Sequence, residues 1–447
     1  MTYNIKSGLK RPVQLTLLLF MLAVSGSNVF AQSKSKSSRI AELEEMVKRL
    51  NTEVVKLRKT QSETQKHQQD VADTMKQLLV ESQKQQESLL NFGKRLKKFR
   101  FGGYGEMHAN FTDGKGADKF DIHRLVLYAG YDFSDWVKLH SEIEVEHAYV
   151  NKNAGGEVVI EQLFVDLNID PKLNVRIGRV LTPLGIINAN HEPTTFNGVE
   201  RPSFAKYIIP STWSSDGAGI YGKLAPWLSY ELYVVGGLDG SKFSAKDGIR
   251  GGRIKERPGL DDVAITGRMD FYPFAGREML YNQQLRIGVS VYYGGISNKN
   301  KGGDNGIGGN IKIVSGDFEY KIDRFDFRGA IAYERISSAR QIGNGVAEGI
   351  FGWYLEAACH ILPDSMKKGK LKDSDLIAFA RYDYIDTQHD MPNGIQRNRA
   401  AQRTEWTLGV SFFPVKNIVL KADYQIRSDR SDTKPSNYLN VGIGWTF

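Results

Sequence analysis

From residue 99 to the C-terminus, apolar and polar residues alternate with a period of two, in runs longer than ordinary strands. In 137–149, Val137, Leu139, Ile143, Val145 and Tyr149 share one face, and Lys138, His140, Glu142, Glu144 and Glu146 share the other. In 325–334, Phe325, Phe327, Ile331 and Tyr333 oppose Asp326, Arg328 and Glu334. In 418–427, Ile418, Leu420, Ala422, Tyr424 and Ile426 oppose Lys421, Asp423, Gln425 and Arg427. Sixteen such runs occur, at roughly 99–111, 120–133, 136–149, 158–169, 173–181, 216–224, 228–238, 262–273, 283–297, 308–321, 325–338, 348–360, 374–386, 401–414, 416–428 and 436–447. Connections after even-numbered runs are mostly tight, as at Ser134-Asp135, Pro171-Lys172 and Pro414-Val415. Those after odd-numbered runs are mostly longer and rich in Gly, Asn, Asp and Lys.

A soluble all-β sandwich fits poorly, because its strands usually run about five or six residues. It also gives Glu142, Glu144 and Glu146 no reason to share a face. The expected fold is an all-β, transmembrane, antiparallel β-barrel of sixteen strands, over 98–447. Its aliphatic face meets lipid and its charged face lines water. The 45 Gly, 22 Phe and 20 Tyr suit such a sheet. The mean hydropathy of −0.38 and a single short apolar segment exclude a helical membrane bundle.

That segment is Leu15–Val24, preceded by Lys6, Lys10 and Arg11 and followed by Val29-Phe-Ala31. It reads as a signal peptide over 1–31, cleaved after Ala31. Cys359 is the only thiol, so no intrachain disulfide forms and no lipid anchor is expected. The net charge of +9 divides into +3 for 1–31, +6 for 32–98 and zero for 99–447. A neutral body gives no support to nucleic-acid binding.

Residues 35–92 contain no Pro and no Gly. Ile40, Leu43, Val47, Leu50, Val54, Leu57, Val71, Met75, Leu78, Leu89 and Phe92 fall at heptad a and d positions. A 3.5-residue period predicts an N-terminal α-helical coiled coil over 32–97, in the periplasm. The polar mid-seam of Gln61, Thr64, Gln68, Ser82 and Gln85 sets register without deciding between two strands and three.

Three stretches carry a family likeness: Arg100-Phe-Gly-Gly-Tyr-Gly-Glu106, Val175-Arg-Ile-Gly-Arg179 leading into Thr182-Pro-Leu-Gly185, and the terminal Trp445-Thr-Phe447. In this order the chain resembles the outer-membrane porins grouped as phosphate-selective porins O and P. The resemblance implies a sixteen-stranded homotrimer whose third extracellular loop folds into the pore. Some members carry an N-terminal coiled coil. Phe447 is similar to the assembly signal read by the barrel-assembly machinery. Phosphate selectivity does not follow from the residues, since the inferred wall mixes Arg124, Lys138, Arg176, Arg328, Arg403 and Lys421 with Glu142 and Glu144.

The connection 182–215 is the expected inward loop. It holds Leu184, Ile186, Ile187, Phe196, Phe204, Tyr207, Ile208, Ile209 and Trp213, too apolar for free exposure. Its His191, Glu192, Glu200, Arg201 and Lys206 are the candidate constriction residues. Gly217-Ala-Gly219-Ile-Tyr-Gly222 matches a dinucleotide motif but lies in an extended run, not between a strand and a helix. His140, Glu142 and Glu144 share a face, read as a solvated wall more readily than a cation site. No local pattern points to a hydrolase, and no cofactor or catalytic residue is expected. The basic cluster Arg250, Arg253, Lys255 and Arg257 is read as an exposed loop against lipopolysaccharide. The expected function is passive diffusion of small hydrophilic solutes or ions, phosphate among them, through the outer membrane of a Gram-negative bacterium. The alternative is a structural tether whose basic coiled coil reaches the peptidoglycan.

Overall fold

In the computed structural model, residues 36–113, 118–151, 155–276, 283–431 and 434–447 are described. The expected signal peptide lies outside them. Strands form at all sixteen alternating runs: β1 (Phe99–Thr112), β2 (Lys119–Asp132), β3 (Val137–Glu146), β4 (Glu157–Asp170), β5 (Leu173–Leu181), β6 (Ser214–Ala225), β7 (Leu228–Gly236) and β8 (Val263–Phe271). They continue as β9 (Gln283–Gly295), β10 (Asn310–Ile322), β11 (Phe325–Ile336), β12 (Gly349–His360), β13 (Asp375–Asp390), β14 (Gln402–Val415), β15 (Ile418–Asp429) and β16 (Ser436–Thr446). Each pairs antiparallel with the next, and β16 pairs with β1, so the barrel closes without an edge. Phe447 extends that seam. Its N–H donates to Gly103 O at 2.9 Å, and its carbonyl accepts from the Gly103 N–H at 3.0 Å.

Boundaries move by a few residues. β3 stops at Glu146, leaving Tyr149 in a loop, and β13 runs on to Asp390. Leu420 is exposed and Lys421 buried on β15, as the alternation implied. The Gly217–Gly222 motif lies within β6.

Among the register shifts of the barrel, two β-bulges re-aim charged residues near the loop. Glu142 pairs with Gln162 and Ile143 with Ile160, so Glu161 is an extra residue in β4. Glu106 pairs with Arg124 and Met107 with Ile122, so His123 is extra in β2. A bulge re-aims side chains. Here Glu161 and Gln162 both turn inward between exposed Ile160 and Leu163. His123 and Arg124 do the same between exposed Ile122 and Leu125.

The apolar core lies inside the barrel. Leu184, Phe204, Ile208, Ile209 and Trp213 of the 182–213 connection pack with Tyr233, Tyr292, Ile311, Ile313, Ile350 and Tyr354 of the wall. Burying side chains of this size contributes about 1.5–3 kcal/mol each, before the entropy of ordering the loop. Residues Lys36–Leu96 form the 61-residue helix α1, which has no buried residue and which up to Phe92 belongs to a unit separate from the barrel.

Candidate functional site

The connection between β5 and β6 includes the short helices α2 (Gly185–Ala189) and α3 (Phe204–Tyr207). Asn188 clips its two ends together. Its side-chain amide donates to Thr182 O at 2.7 Å and Trp213 O at 3.1 Å, and its Oδ1 accepts from the Trp213 N–H at 2.8 Å. Trp213 then seats against Tyr292, with ring centroids 5.1 Å apart.

The middle of the loop is held by wall carboxylates. Asn197 Nδ2 donates to Glu356 at 2.9 Å, Val199 N–H to Asp423 at 2.6 Å, Ser203 Oγ to Glu405 at 2.9 Å and Phe204 N–H to Asp383 at 3.0 Å. Gly198, at φ +82°, makes the turn between the first two of these contacts. Wall cations take the loop carbonyls. Arg328 donates to Thr195 O at 2.9 Å, Lys421 to Phe196 O at 2.9 Å and Arg381 to Asn197 O at 3.2 Å.

Many charges inferred to line the pore are therefore engaged. Arg328 and Lys421 hold the loop, and Lys421 lies 3.8 Å over the Phe196 ring. Arg124 is ringed by Glu106 at 2.7 Å, Glu144 at 2.9 Å and Glu146 at 3.7 Å. Arg176 makes a two-pronged pair with Asp166 at 2.7 and 3.0 Å. Arg403 lies 3.9 Å over the Tyr207 ring and donates to Lys246 O at 2.9 Å. Lys138 sits 3.9 Å from Asp132. Glu142 accepts from Gln162.

The loop's own charged residues divide into two groups. His191 is buried against β3 and β4, and Glu192 accepts from Tyr128 Oη at 3.3 Å. Glu200, Arg201 and Lys206 instead line an internal space of about 200 Å³, together with Glu106, His108, His123, Arg124, Glu146 and Arg250. Glu200, His123 and Lys206 also border a neighbouring space of about 300 Å³, reaching Lys119, Arg427 and Tyr438. Glu200 accepts from Asn110 at 3.2 Å and lies 3.4 Å from His108 Nδ1. Burial pushes its carboxyl up, but His108 outweighs this and holds it well below the usual carboxylate range. Arg201 donates to His191 O at 2.8 Å and Ser211 Oγ at 3.1 Å. Among the described residues, Arg201, Lys206 and Arg250 have no carboxylate within 4.0 Å.

The basic cluster after β7 is not the freely exposed loop the sequence suggested. Phe243 and Ile249 join the lumen core, and Arg253 donates to Ser211 O at 2.6 Å. Burial, with Arg250 beside it, pulls the Arg253 guanidinium down to about 10. Lys255 pairs with Glu157, while Arg257 stays exposed. This segment walls a cavity of about 690 Å³. Sequence reading also passed over His108, His123 and Glu161. The latter two sit where the aliphatic phase slips, at Ile122/Leu125 and Ile160/Leu163.

No family model matches the sequence. A protein of Aquifex aeolicus (strain VF5), described as uncharacterized, is 32% identical over 367 residues, covering 78% of this chain and 80% of that one. The chain belongs to the same family as that protein. Solved structures supply the fold comparison. The anion-selective porin of Comamonas acidovorans aligns with a TM-score of 0.50 at 11% identity, over 78% of this chain and 99% of that one. OmpF of Salmonella typhi, in complex with daunomycin, gives 0.50 at 12% identity, over 78% and 97%. OprB of Pseudomonas putida gives 0.50 at 10% identity, over 79% and 96%. The barrel thus has the outer-membrane porin fold.

Proposed function

We propose that this protein is an outer-membrane porin that passes small hydrophilic solutes by diffusion and favours small anions at its constriction. The reading rests on one observation. Glu356, Asp383, Glu405 and Asp423 are engaged in docking the inward loop, and Glu106, Glu146 and Glu200, which also line the passage, are taken up by Arg124 and His108, whereas Arg201, Lys206 and Arg250 line it without carboxylate partners. A narrow, low-dielectric passage magnifies such an imbalance. The loop sets the size limit. The anion-selective title of one structure of this fold and the likeness to phosphate-selective porins support chloride and inorganic phosphate as probe anions.

In this reading the chain resides in the outer membrane of a Gram-negative bacterium. Lipid and lipopolysaccharide surround the aliphatic face, and the barrel-assembly machinery inserts it as a homotrimer. Reversal potentials across a planar bilayer in a KCl gradient test the selectivity. Wild type should favour anions, and Arg201→Glu with Lys206→Glu should shift the preference toward cations. An unchanged reversal potential in the folded double variant would refute the constriction assignment.

A further inference from the structure

A separate constellation lies where the inward loop meets β3 and β4. His191 Nε2 stands 3.5 Å from Glu161 Oε1 and 3.8 Å from Glu142 Oε1. The three side chains keep only 3%, 2% and 1% of their surface exposed. No described group hydrogen-bonds His191 Nε2, Glu142 Oε1 or either oxygen of Glu161. Four buried polar atoms without partners, three of them converging within 4.8 Å of one another, are rare and costly, and they require an explanation.

The chemistry of the donors supplies one. His191 Nδ1 lies 3.0 Å from the Asn188 carbonyl, which only accepts, so Nδ1 carries a proton. In the neutral ring, Nε2 is then a lone pair directed at two carboxylates. An Nδ1–H held by a backbone carbonyl is the usual support of a metal-binding histidine. The second oxygen of Glu142 is held by Gln162, which fixes that carboxylate as well. In a tetrahedral site with bonds of 2.0–2.1 Å, donor atoms sit about 3.3–3.4 Å apart. The observed 3.5 and 3.8 Å lie just above that spacing. The bulge at Glu161 is what brings the second carboxylate inward, since strict alternation would send it to lipid.

We propose that His191, Glu142 and Glu161 bind a divalent first-row transition-metal ion of the Zn²⁺ class and so fasten the inward loop to the barrel wall. One imidazole nitrogen with carboxylate oxygens suits such an ion, and its charge balances the two buried carboxylates. The competing state is a protonated His191. Burial pulls this imidazole down, but Glu161 and Glu142 outweigh it and hold it up to about 10. A single Nε2–H leaves carboxylate oxygens unpartnered, as a dication does not. The cluster of Asp121, His123 and His147 is a poorer donor set. Arg124 donates to His123 Nε2 at 2.8 Å, so His123 Nδ1 keeps its proton for Asp121 at 3.1 Å and has no lone pair for a metal.

The test uses the full chain folded in detergent, stripped with a chelator and titrated with Zn²⁺. Metal stoichiometry is read by elemental analysis, so the result does not depend on the porin reading. Wild type should bind one equivalent at this site. Glu161→Gln and His191→Gln, each judged folded by heat-modifiable electrophoresis, should weaken binding by about 10–100-fold or more. Zn²⁺ should also slow amide exchange across 185–213 in the wild type. Absence of stoichiometric binding, or equal affinity in the folded variants, would overturn the proposal. If neither variant folds, wild-type exchange decides: bound Zn²⁺ that leaves 185–213 unprotected overturns it.

Discussion

The carboxylate of Asp383, on β13, accepts a hydrogen bond from the backbone N–H of Phe204 at 3.0 Å. Both groups are buried, and the Phe204 ring packs 5.6 Å from Tyr354 beside them. A wall acid thus acts on the pore indirectly, by fixing where the loop stands. Asp383→Ala leaves the Phe204 N–H without its partner, at a cost of about 1–3 kcal/mol. The expected result is a noisier, larger single-channel conductance and a lower thermal midpoint. Unaltered conductance and midpoint would show that Asp383 does not set the loop.

The strands and the burial of the 182–213 loop were legible in the sequence, because lipid outside and water inside impose a period of two on every strand. The apolar content of 182–213 marked the loop as buried for the same reason. The partners of its charged residues were not legible. Arg328 and Lys421 look alike as lumen cations in an alternating pattern, yet both are taken up by loop carbonyls more than a hundred residues away. His191 and Lys206 stand in one loop, but only Lys206 borders the internal space beside Glu200. The bulges left a visible trace. Aliphatic residues run 158, 160 and then 163, 165 in β4, a phase slip that marks Glu161 as inward.

Glu200 carries a pH prediction. Its folded carboxyl titrates below its unfolded value of about 4.3, so its contribution to stability is fully present above that value. It declines as pH falls toward the folded value. About a third of the side chain is exposed, 36%, so the contribution is roughly 1 kcal/mol at most. Glu200→Gln should therefore cost the same stability at pH 7 and pH 5, and less at pH 3. Denaturation midpoints of both proteins at these three values check it, and a difference that grows on acidification would contradict the assignment.

Phe447 closes the barrel through its two main-chain bonds to Gly103, while its ring remains largely outside the core. Removing it deletes two ladder bonds at the β1–β16 seam and an aromatic at the rim. Truncation at Thr446 should lower the folded fraction recovered from membranes and leave the conductance of the folded channels unchanged. Normal recovery would remove Phe447 from assembly.

The helix α1 presents its own problem in physical chemistry. Leu43, Val47, Leu50, Val54 and Leu57 repeat at heptad spacing and are all exposed in the single chain. A helix of 61 residues spans about 90 Å, and most of a helix's stability comes from packing its apolar stripe. Copies of α1 offer each other matching seams, since a period of 3.5 suits knobs-into-holes packing. The family resemblance sets the expected number at three. Mass measurement of the full chain in detergent should give a trimer, and a monomer alone would exclude this association. Leu50→Asp with Val54→Asp buries charge in the seam and should weaken assembly at least tenfold, read as a shift toward smaller species on dilution. Deleting 36–94 should weaken it similarly while leaving single-channel conductance intact. Equal trimer stability in the seam variant would place association elsewhere than on α1.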